Sequence, residues 1–346
     1  MAYEIRPVAG DADVQEVLRL WRDSFGDIRP ERFAWLYQSN GVSRGRCWVA
    51  TTDSGLVVGT IGLVYRDLWW QGQACRGGQA IDLAVDRQHR TGGLAVQLLR
   101  HLLAEADQLD CRIIYTYPLP KARPVAIRAG FKPLAKLTRW SLPLSSAYKL
   151  KSKLPPLAVS LLAPIVDIGI RLRNEGMFLK AAGDQRVESV SGFDGRFDAL
   201  WHGATDAWKL LGERTLGYLR WRFTEFPGGT YRQLVVVDAS DQLRAYVVYR
   251  VADQQASIAD LLFSDPGAMR TAIRHLSCQL RDDGVVAISI QCLLPERVQQ
   301  VFAAAGFVQR PEEADVLLRV QGSGPAGCTA ATAPGDWYLT EADRDV

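Results

Sequence analysis

The sequence lacks the patterns that mark metal sites and disulfide-stabilised secreted proteins. Its six cysteines include no Cys-x-x-Cys pair, and its four histidines show no spacing typical of a zinc site. We therefore expect no bound metal. Scattered thiols of this kind are typical of reduced, mostly buried cysteines, which predicts a cytoplasmic protein.

Strong charge and long apolar runs are also missing. The 41 basic and 38 acidic residues leave a net charge of +3, which is too small to indicate nucleic acid as a partner. Residues 154–166 are uncharged, but they fall short of the roughly 20 residues that a membrane-spanning helix needs. We expect an apolar linker helix there, with contact of residues 154–170 with a membrane surface as the alternative.

One stretch does carry a chemical signal. Residues 80–85 are mostly apolar and predict a buried strand, and residues 87–93 read RQHRTGG. The apolar residues that follow recur at the spacing of one helix face, at Leu94, Leu98, Leu99, Leu102, Leu103 and Ala106. Backbone N–H groups at a helix start attract anions, and glycine lets a phosphate approach the chain. The pattern therefore predicts strand, phosphate loop and helix.

Residues 90–95, RTGGLA, also fit the pattern Arg/Gln-x-x-Gly-x-Gly/Ala. At a strand–helix junction this resembles the acyl-coenzyme A pyrophosphate loop of the GNAT superfamily of N-acetyltransferases. The order of predicted elements over residues 3–145 is similar to that fold, as is Ala129-Gly130-Phe131 after the last helix.

The resemblance implies acetyl-coenzyme A as cosubstrate and a set of residues that would bind it. The strand backbone would pair with the pantetheine arm, and the loop would hold the pyrophosphate with two arginines as charge partners. The residues are Leu83, Ala84, Val85, Arg87, Arg90, Thr91, Gly92, Gly93, Leu94 and Ala95.

Three residues are candidates for proton transfer. Asp82 is a lone carboxylate in an apolar strand, and burial would raise its pKa towards that of a useful base. A structural role is the alternative. Tyr115 and Tyr117 are candidate acids, or ordinary strand aromatics. The helix before Gly130, where the family often places a tyrosine acid, contains no tyrosine.

The second half of the sequence repeats the first. Trp35 is echoed by Trp221, Asp82 by Asp260, and Phe131 by Phe307. The repeat lacks the phosphate loop, because Asp265 stands where the first copy has Arg and His, and a carboxylate would repel a pyrophosphate. Since Asp260 occurs in a copy without the loop, Asp82 is as well explained by structure as by catalysis.

We therefore predict an α/β (α+β) protein with two GNAT-like domains, each a mixed, mainly antiparallel twisted sheet flanked by helices. The predicted boundaries are residues 1–145 for the coenzyme-binding domain, 146–190 for the linker, 191–321 for the degenerate domain and 322–346 for a flexible tail. A docking of the aromatic residues of that tail onto the body is the alternative.

The predicted function is transfer of an acetyl group from acetyl-coenzyme A to a primary amine of a small molecule or sugar, by direct attack. The layout is also similar to bacterial GNAT-like proteins of surface-polysaccharide synthesis. Alternatives are an aminoacyl-tRNA-dependent peptidoglycan-type transferase and a non-catalytic acyl-coenzyme A sensor or scaffold. An aromatic–basic cluster is a candidate acceptor pocket or a core tryptophan with solvated arginines: Arg220, Trp221, Arg222 and Arg232. No pattern predicts an oligomeric state.

Overall fold

The computed structural model describes residues 2–26, 28–38, 45–145, 185–310, 314–321 and 333–344. The predicted apolar linker helix and the membrane contact of residues 154–170 lie outside the described residues. Among the helices that are described, none is long and apolar enough to cross a membrane.

Sixteen strands are described, and apolar or β-branched runs form most of the central ones. They are β1 (Glu4–Pro7), β2 (Gly45–Thr51), β3 (Val57–Trp70), β4 (Gln73–Val85), β5 (Ile113–Thr116), β6 (Lys132–Lys136), β7 (Thr138–Pro143), β8 (Arg186–Val190), β9 (Leu210–Gly212), β10 (Arg232–Val237), β11 (Leu243–Ala252), β12 (Gln255–Phe263), β13 (Ala287–Cys292), β14 (Val308–Arg310), β15 (Asp315–Val320) and β16 (Trp337–Tyr338).

The helices of the described residues are α1 (Gly10–Phe25), α2 (Glu31–Phe33), α3 (Leu94–Gln108), α4 (Arg123–Ala129), α5 (Gly195–Thr205), α6 (Leu216–Leu219), α7 (Pro266–Asp282) and α8 (Glu296–Ala304). Two of them, α2 and α6, continue into π-helical turns, Ala34–Gln38 and Arg220–Thr224. The predicted apolar face of α3 is confirmed, because all six of its predicted residues are buried.

The strands form two mixed, mainly antiparallel sheets that share one strand order. The first sheet runs β1-β2-β3-β4-β5-β15-β6, and β9 and β16 extend it beside β3. The second runs β8-β10-β11-β12-β13-β7-β14. Within the shared order each sheet has a parallel pair at the same place, β4 with β5 and β12 with β13. The added strands β9 and β16 of the first sheet are also parallel to each other. The predicted fold class is therefore confirmed, and the shared strand order agrees with the predicted repeat.

The two sheets exchange one strand each. β7 follows β6 in the chain but lies between β13 and β14 of the second sheet, antiparallel to both. β15 follows β14 but lies between β5 and β6 of the first sheet. A division of the chain at residue 145 therefore does not separate the sheets, because each needs a strand from the other half to be complete.

The end of the chain differs from the predicted flexible tail. Residues 333–344 are described, and Trp337, Tyr338 and Leu339 are fully buried. Trp337 and Tyr338 form β16 beside β9. Burial of large aromatic side chains is strongly favourable, so this segment packs onto the body despite the small residues before it. The alternative of docked aromatics is the one that the structure supports.

Candidate active site

A β-bulge interrupts β4 at Asp82. Thr60 of β3 pairs with Ala84, but Gly62 pairs with Ile81, so two residues of β4 stand opposite Ile61 alone. Asp82 takes a left-handed backbone conformation with φ of 55°. A bulge re-aims the local backbone and side chains, which makes this point of the strand suited to a site.

β4 and β5 separate just before this bulge. Their parallel ladder runs from the Gly77–Ile113 pair to the Gln79–Tyr115 pair and ends there. The Thr116 hydroxyl then donates to the Ala80 carbonyl at 2.8 Å and fixes the point of separation. The predicted residues Leu83, Ala84 and Val85 lie beyond that point, where Leu83 is in the bulge and Ala84 and Val85 pair with β3.

A cavity of about 550 Å³ opens where the two strands separate. From the first half of the chain, Leu99 of α3 and Ala126 of α4 line it. Phe226, Arg250 and Arg344 line it from the second half. Both halves therefore form one cavity, which has the size of a small-molecule site.

Asp82 lines this cavity, but its carboxylate is already engaged. One oxygen accepts from the Arg32 guanidinium at 2.8 Å, and the other accepts from the Tyr37 hydroxyl at 2.5 Å. Burial, with the charge of Asp82, raises the pKa of Tyr37 well above its ordinary value, so the phenol stays protonated and donates. The arrangement holds the carboxylate, and with it the bulge, in a fixed position.

Asp260 occupies the matching place in the second sheet. β12 also bulges there, because Val248 pairs with Asp260 while Tyr249 pairs with Ile258. Asp260 is fully buried, and its carboxylate lies 2.9 Å from the Arg214 guanidinium and accepts from the Tyr246 hydroxyl at 2.6 Å. The same arginine–tyrosine clamp at both bulges favours a positional role for the aspartate.

The two candidate tyrosines lie in different surroundings. Tyr115 is buried, its hydroxyl donates to the Asp343 carbonyl at 2.9 Å, and it does not line the cavity. Burial raises the pKa of Tyr115 far above its ordinary value. Tyr117 does line the cavity, with the Arg344 guanidinium 5.1 Å from its ring centre. Of the two, only Tyr117 is placed to meet a substrate.

The predicted phosphate loop is an exposed 3₁₀ turn, Arg87–Gly92, leading into α3. Asp86 caps the turn by accepting from the Gln88 N–H at 3.0 Å, and the Arg90 side chain donates to the Val85 carbonyl at 3.0 Å. Gly93 has φ of 74°, and a Cβ built on it would meet no atom within 4 Å. An ordinary side chain is strained at that φ, which explains the glycine.

The start of α3 suits an anion, whereas its counterpart in the second half does not. No side chain caps α3, which begins at Leu94 directly after Gly93, where the space around a built Cβ is empty. The first N–H groups of a helix and its dipole attract a phosphate. In the second half Asp265 caps α7 and accepts from the Ala268 N–H at 3.0 Å. That carboxylate already caps the helix start where a phosphate would bind, so the second half does not offer the same anion site.

Several residues of the site were not found from the sequence. Arg32 and Tyr37, which hold Asp82, and the cavity-lining Arg29, Arg250 and Arg344 come from segments far apart in the chain, and no local spacing connects them. The predicted acceptor cluster is not at the cavity: Trp221 and Arg222 are buried, and neither they nor Arg220 and Arg232 line it. The core interpretation of Trp221 is the correct one. In the described ranges no group of three or more histidine, cysteine or acidic residues could hold a metal ion.

Comparisons with known proteins identify the domain to which this geometry belongs. Residues 4–133 match the family model of the acetyltransferase (GNAT) domain. The chain therefore contains an acetyltransferase (GNAT) domain in its first half. A comparison with curated proteins finds no match to the sequence.

Solved structures share the fold over nearly the whole chain. A GCN5-related N-acetyltransferase from Anabaena variabilis is 14% identical, with a TM-score of 0.66 over 92% of this chain and 73% of its own. A probable N-acyltransferase from Enterococcus faecalis is 12% identical, with a TM-score of 0.66 over 92% and 72%. N-myristoyltransferase of Saccharomyces cerevisiae with bound myristoyl-CoA is 12% identical, with a TM-score of 0.55 over 91% and 82%. Two sheets in tandem are therefore shared with these structures.

Proposed function

We propose that the protein transfers the acetyl group of acetyl-coenzyme A to a primary amine of a small molecule or sugar. The observation that carries this is the end of the β4–β5 ladder at the Gln79–Tyr115 pair, directly beside a bulge and a cavity. The separated strands leave room for an extended arm to pair with β4. The uncapped start of α3 supplies the anion site that such a donor also requires.

The residues of the loop would hold the pyrophosphate. The first backbone N–H groups of α3, those of Leu94 and Ala95, would face the pyrophosphate, and Arg87 and Arg90 lie in the exposed turn before them. The thioester would then lie at the bulge, where a backbone N–H can polarise its carbonyl oxygen. Leu83 lies in the bulge and lines the cavity beside Asp82, which makes its backbone N–H the candidate.

The reaction is direct attack of the amine on the thioester carbon. The C–N bond forms and the C–S bond breaks, the proton of the amine passes to solvent water, and the coenzyme leaves as a thiolate that takes up a proton. Tyr117 lines the cavity and is the candidate donor of that second proton. Asp82 acts as a positioning residue, because both of its oxygens accept hydrogen bonds from Arg32 and Tyr37.

A thiol-release assay with acetyl-coenzyme A and a library of amines, amino sugars included, tests the function. We expect one class of amine to accelerate thiol release and to yield the acetylated product by mass spectrometry. Longer acyl donors tested beside acetyl-coenzyme A measure donor length. Thiol release that no amine accelerates above solvent hydrolysis, with any donor, would remove the transferase proposal.

A further inference from the structure

The cavity is lined by more cations than anions. Of its lining residues five are basic and one is acidic, Asp82. The basic residues are Arg29, Arg32, Lys121, Arg250 and Arg344. An excess of fixed positive charge in a concave site raises the local concentration of anions and repels cations.

Two of these five cations are compensated by carboxylates. Arg32 is paired with Asp82 at 2.8 Å, and Arg250 lies 3.4 Å from Glu341. The other three have no carboxylate partner within the described parts of the chain, although two of them are held in place. Arg29 donates to the Pro227 carbonyl at 2.6 Å, and Arg344 donates to the side-chain oxygen of Gln291.

The cavity wall is apolar beside these charges. Phe25 and Leu119 are 39% and 52% exposed, and they are two of the few large apolar side chains on the surface of the described residues. Both line the cavity, as does Phe226. Exposed apolar side chains gathered at a concave site indicate a ligand that covers them.

We propose that the acceptor amine carries a carboxylate or phosphate and an apolar body. The anion is bound by Arg29 and Arg344, and the apolar body covers Phe25, Leu119 and Phe226. Polycationic amines are excluded by the same charges. The inference rests on the proposed function, since it assigns the substrate class of that site. Arg29 and Arg344 lie outside the loop that would hold the coenzyme, so their charges serve the acceptor.

Matched acceptor pairs separate charge from shape. Phenylalanine against phenylalaninamide tests a carboxylate, and glucosamine 6-phosphate against glucosamine tests a phosphate. We expect the anionic member of at least one pair to have the higher kcat/KM, and spermidine to be inert. In Arg344→Gln and Arg29→Gln that kcat/KM should fall about tenfold or more, as loss of a charge-assisted hydrogen bond implies. The ratio of kcat/KM between the anionic and the neutral member of the pair should fall by the same factor, whereas the KM for acetyl-coenzyme A should change little.

Arg274→Gln is the matched control, because Arg274 is exposed on α7 and does not line the cavity. It should leave the preference unchanged. If the neutral member of both pairs is the better substrate, or if spermidine is acetylated best, the proposed anionic acceptor is wrong. The proposed transferase function would still hold.

Binding distinguishes the two proposals where turnover is absent. Calorimetry with N-acetylphenylalanine and N-acetylphenylalaninamide, each in the presence of coenzyme A, measures the anion site alone. Preferential binding of the acid, lost in Arg344→Gln, supports the anion site even if no amine is acetylated. Equal binding of acid and amide, or binding of neither, together with no preference for N-acetylglucosamine 6-phosphate over N-acetylglucosamine in the same titration, overturns it.

Discussion

Trp35 and Trp221 stack face to face at the junction of the two halves of the chain. Their ring centres are 4.5 Å apart and their planes differ by 11°. Each indole N–H donates to the backbone carbonyl of the other residue, at 2.9 Å from Trp35 and 3.2 Å from Trp221. Each residue also lies in a π-helical turn. The contact between the two halves is therefore reciprocal, with the same residue type in the same kind of turn on each side.

Replacement of either tryptophan should break the same reciprocal contact. We expect Trp35→Phe and Trp221→Phe each to lower the free energy of unfolding by about 1–3 kcal/mol, since each loses a hydrogen bond and stacked area. The double variant should lose less than the sum, with a coupling of at least about 0.5 kcal/mol in a denaturant-unfolding cycle. Trp48→Phe with Trp221→Phe is the control pair and should be additive. Additivity in the Trp35–Trp221 cycle would show that the pair does not join the halves.

Asp82 should behave as a positioning residue. In Asp82→Asn the Arg32 ion pair is lost and the bulge is less firmly held, so kcat should fall by up to about a hundredfold. The shape of the pH–rate profile should persist, because the carboxylate is not the group that takes the proton. Tyr37→Phe removes the other hydrogen bond without altering the cavity lining and should lower kcat in the same way.

Asp260→Asn is the matched variant in the second half. It should lower stability, because Asp260 is fully buried beside Arg214, and it should leave the pH–rate profile unchanged. If Asp82→Asn instead loses one limb of the pH–rate profile while Tyr37→Phe stays fully active, Asp82 is the base.

The buried Arg214 makes the end of the chain part of the core. Its guanidinium lies 2.9 Å from Asp260 and 2.5 Å from Asp343, and all three side chains are buried. Asp343→Asn should therefore cost about 3–5 kcal/mol of unfolding free energy, because a buried cation loses a charged partner. Asp336→Asn should cost less than about 1 kcal/mol, since its partner Lys209 is largely exposed. Chemical denaturation of both variants measures the difference, and equal small losses would mean that residues 333–344 contribute little to stability.

The sequence predicted those parts of the fold that depend on residues close together in the chain. The apolar spacing of α3, the turn that leads into it and the repeat that pairs Trp35 with Trp221 can all be read from the sequence. The exchange of β7 and β15 cannot be read from it. The backbone N–H and C=O groups of either strand can pair with either sheet, and packing between residues far apart in the chain decides which sheet each strand joins. The burial of Trp337 is likewise decided by the surface that receives it.

The residues of the cavity also divide into those that are close together in the chain and those that only the fold brings together. Asp82, Tyr117 and the loop were predicted because they lie in or beside one strand–loop–helix unit. Arg29 and Arg344 were not, since they reach the cavity from the two ends of the chain and only the fold brings them together. Tyr115 and Tyr117 share one strand pattern, yet one is buried in the core and the other lines the cavity.

The most direct test of the account is a calorimetric titration with acetyl-coenzyme A. We expect one site per chain in the wild type, because Asp265 caps the second helix start and leaves only the first loop open. Gly93→Asp places a carboxylate at that start and should abolish binding. Gly284→Asp is the matched control, since Gly284 has a similar φ of 77° and no atom within 4 Å of a built Cβ, and it should bind normally. Two sites per chain, no binding in the wild type, or undiminished binding in Gly93→Asp would contradict the account.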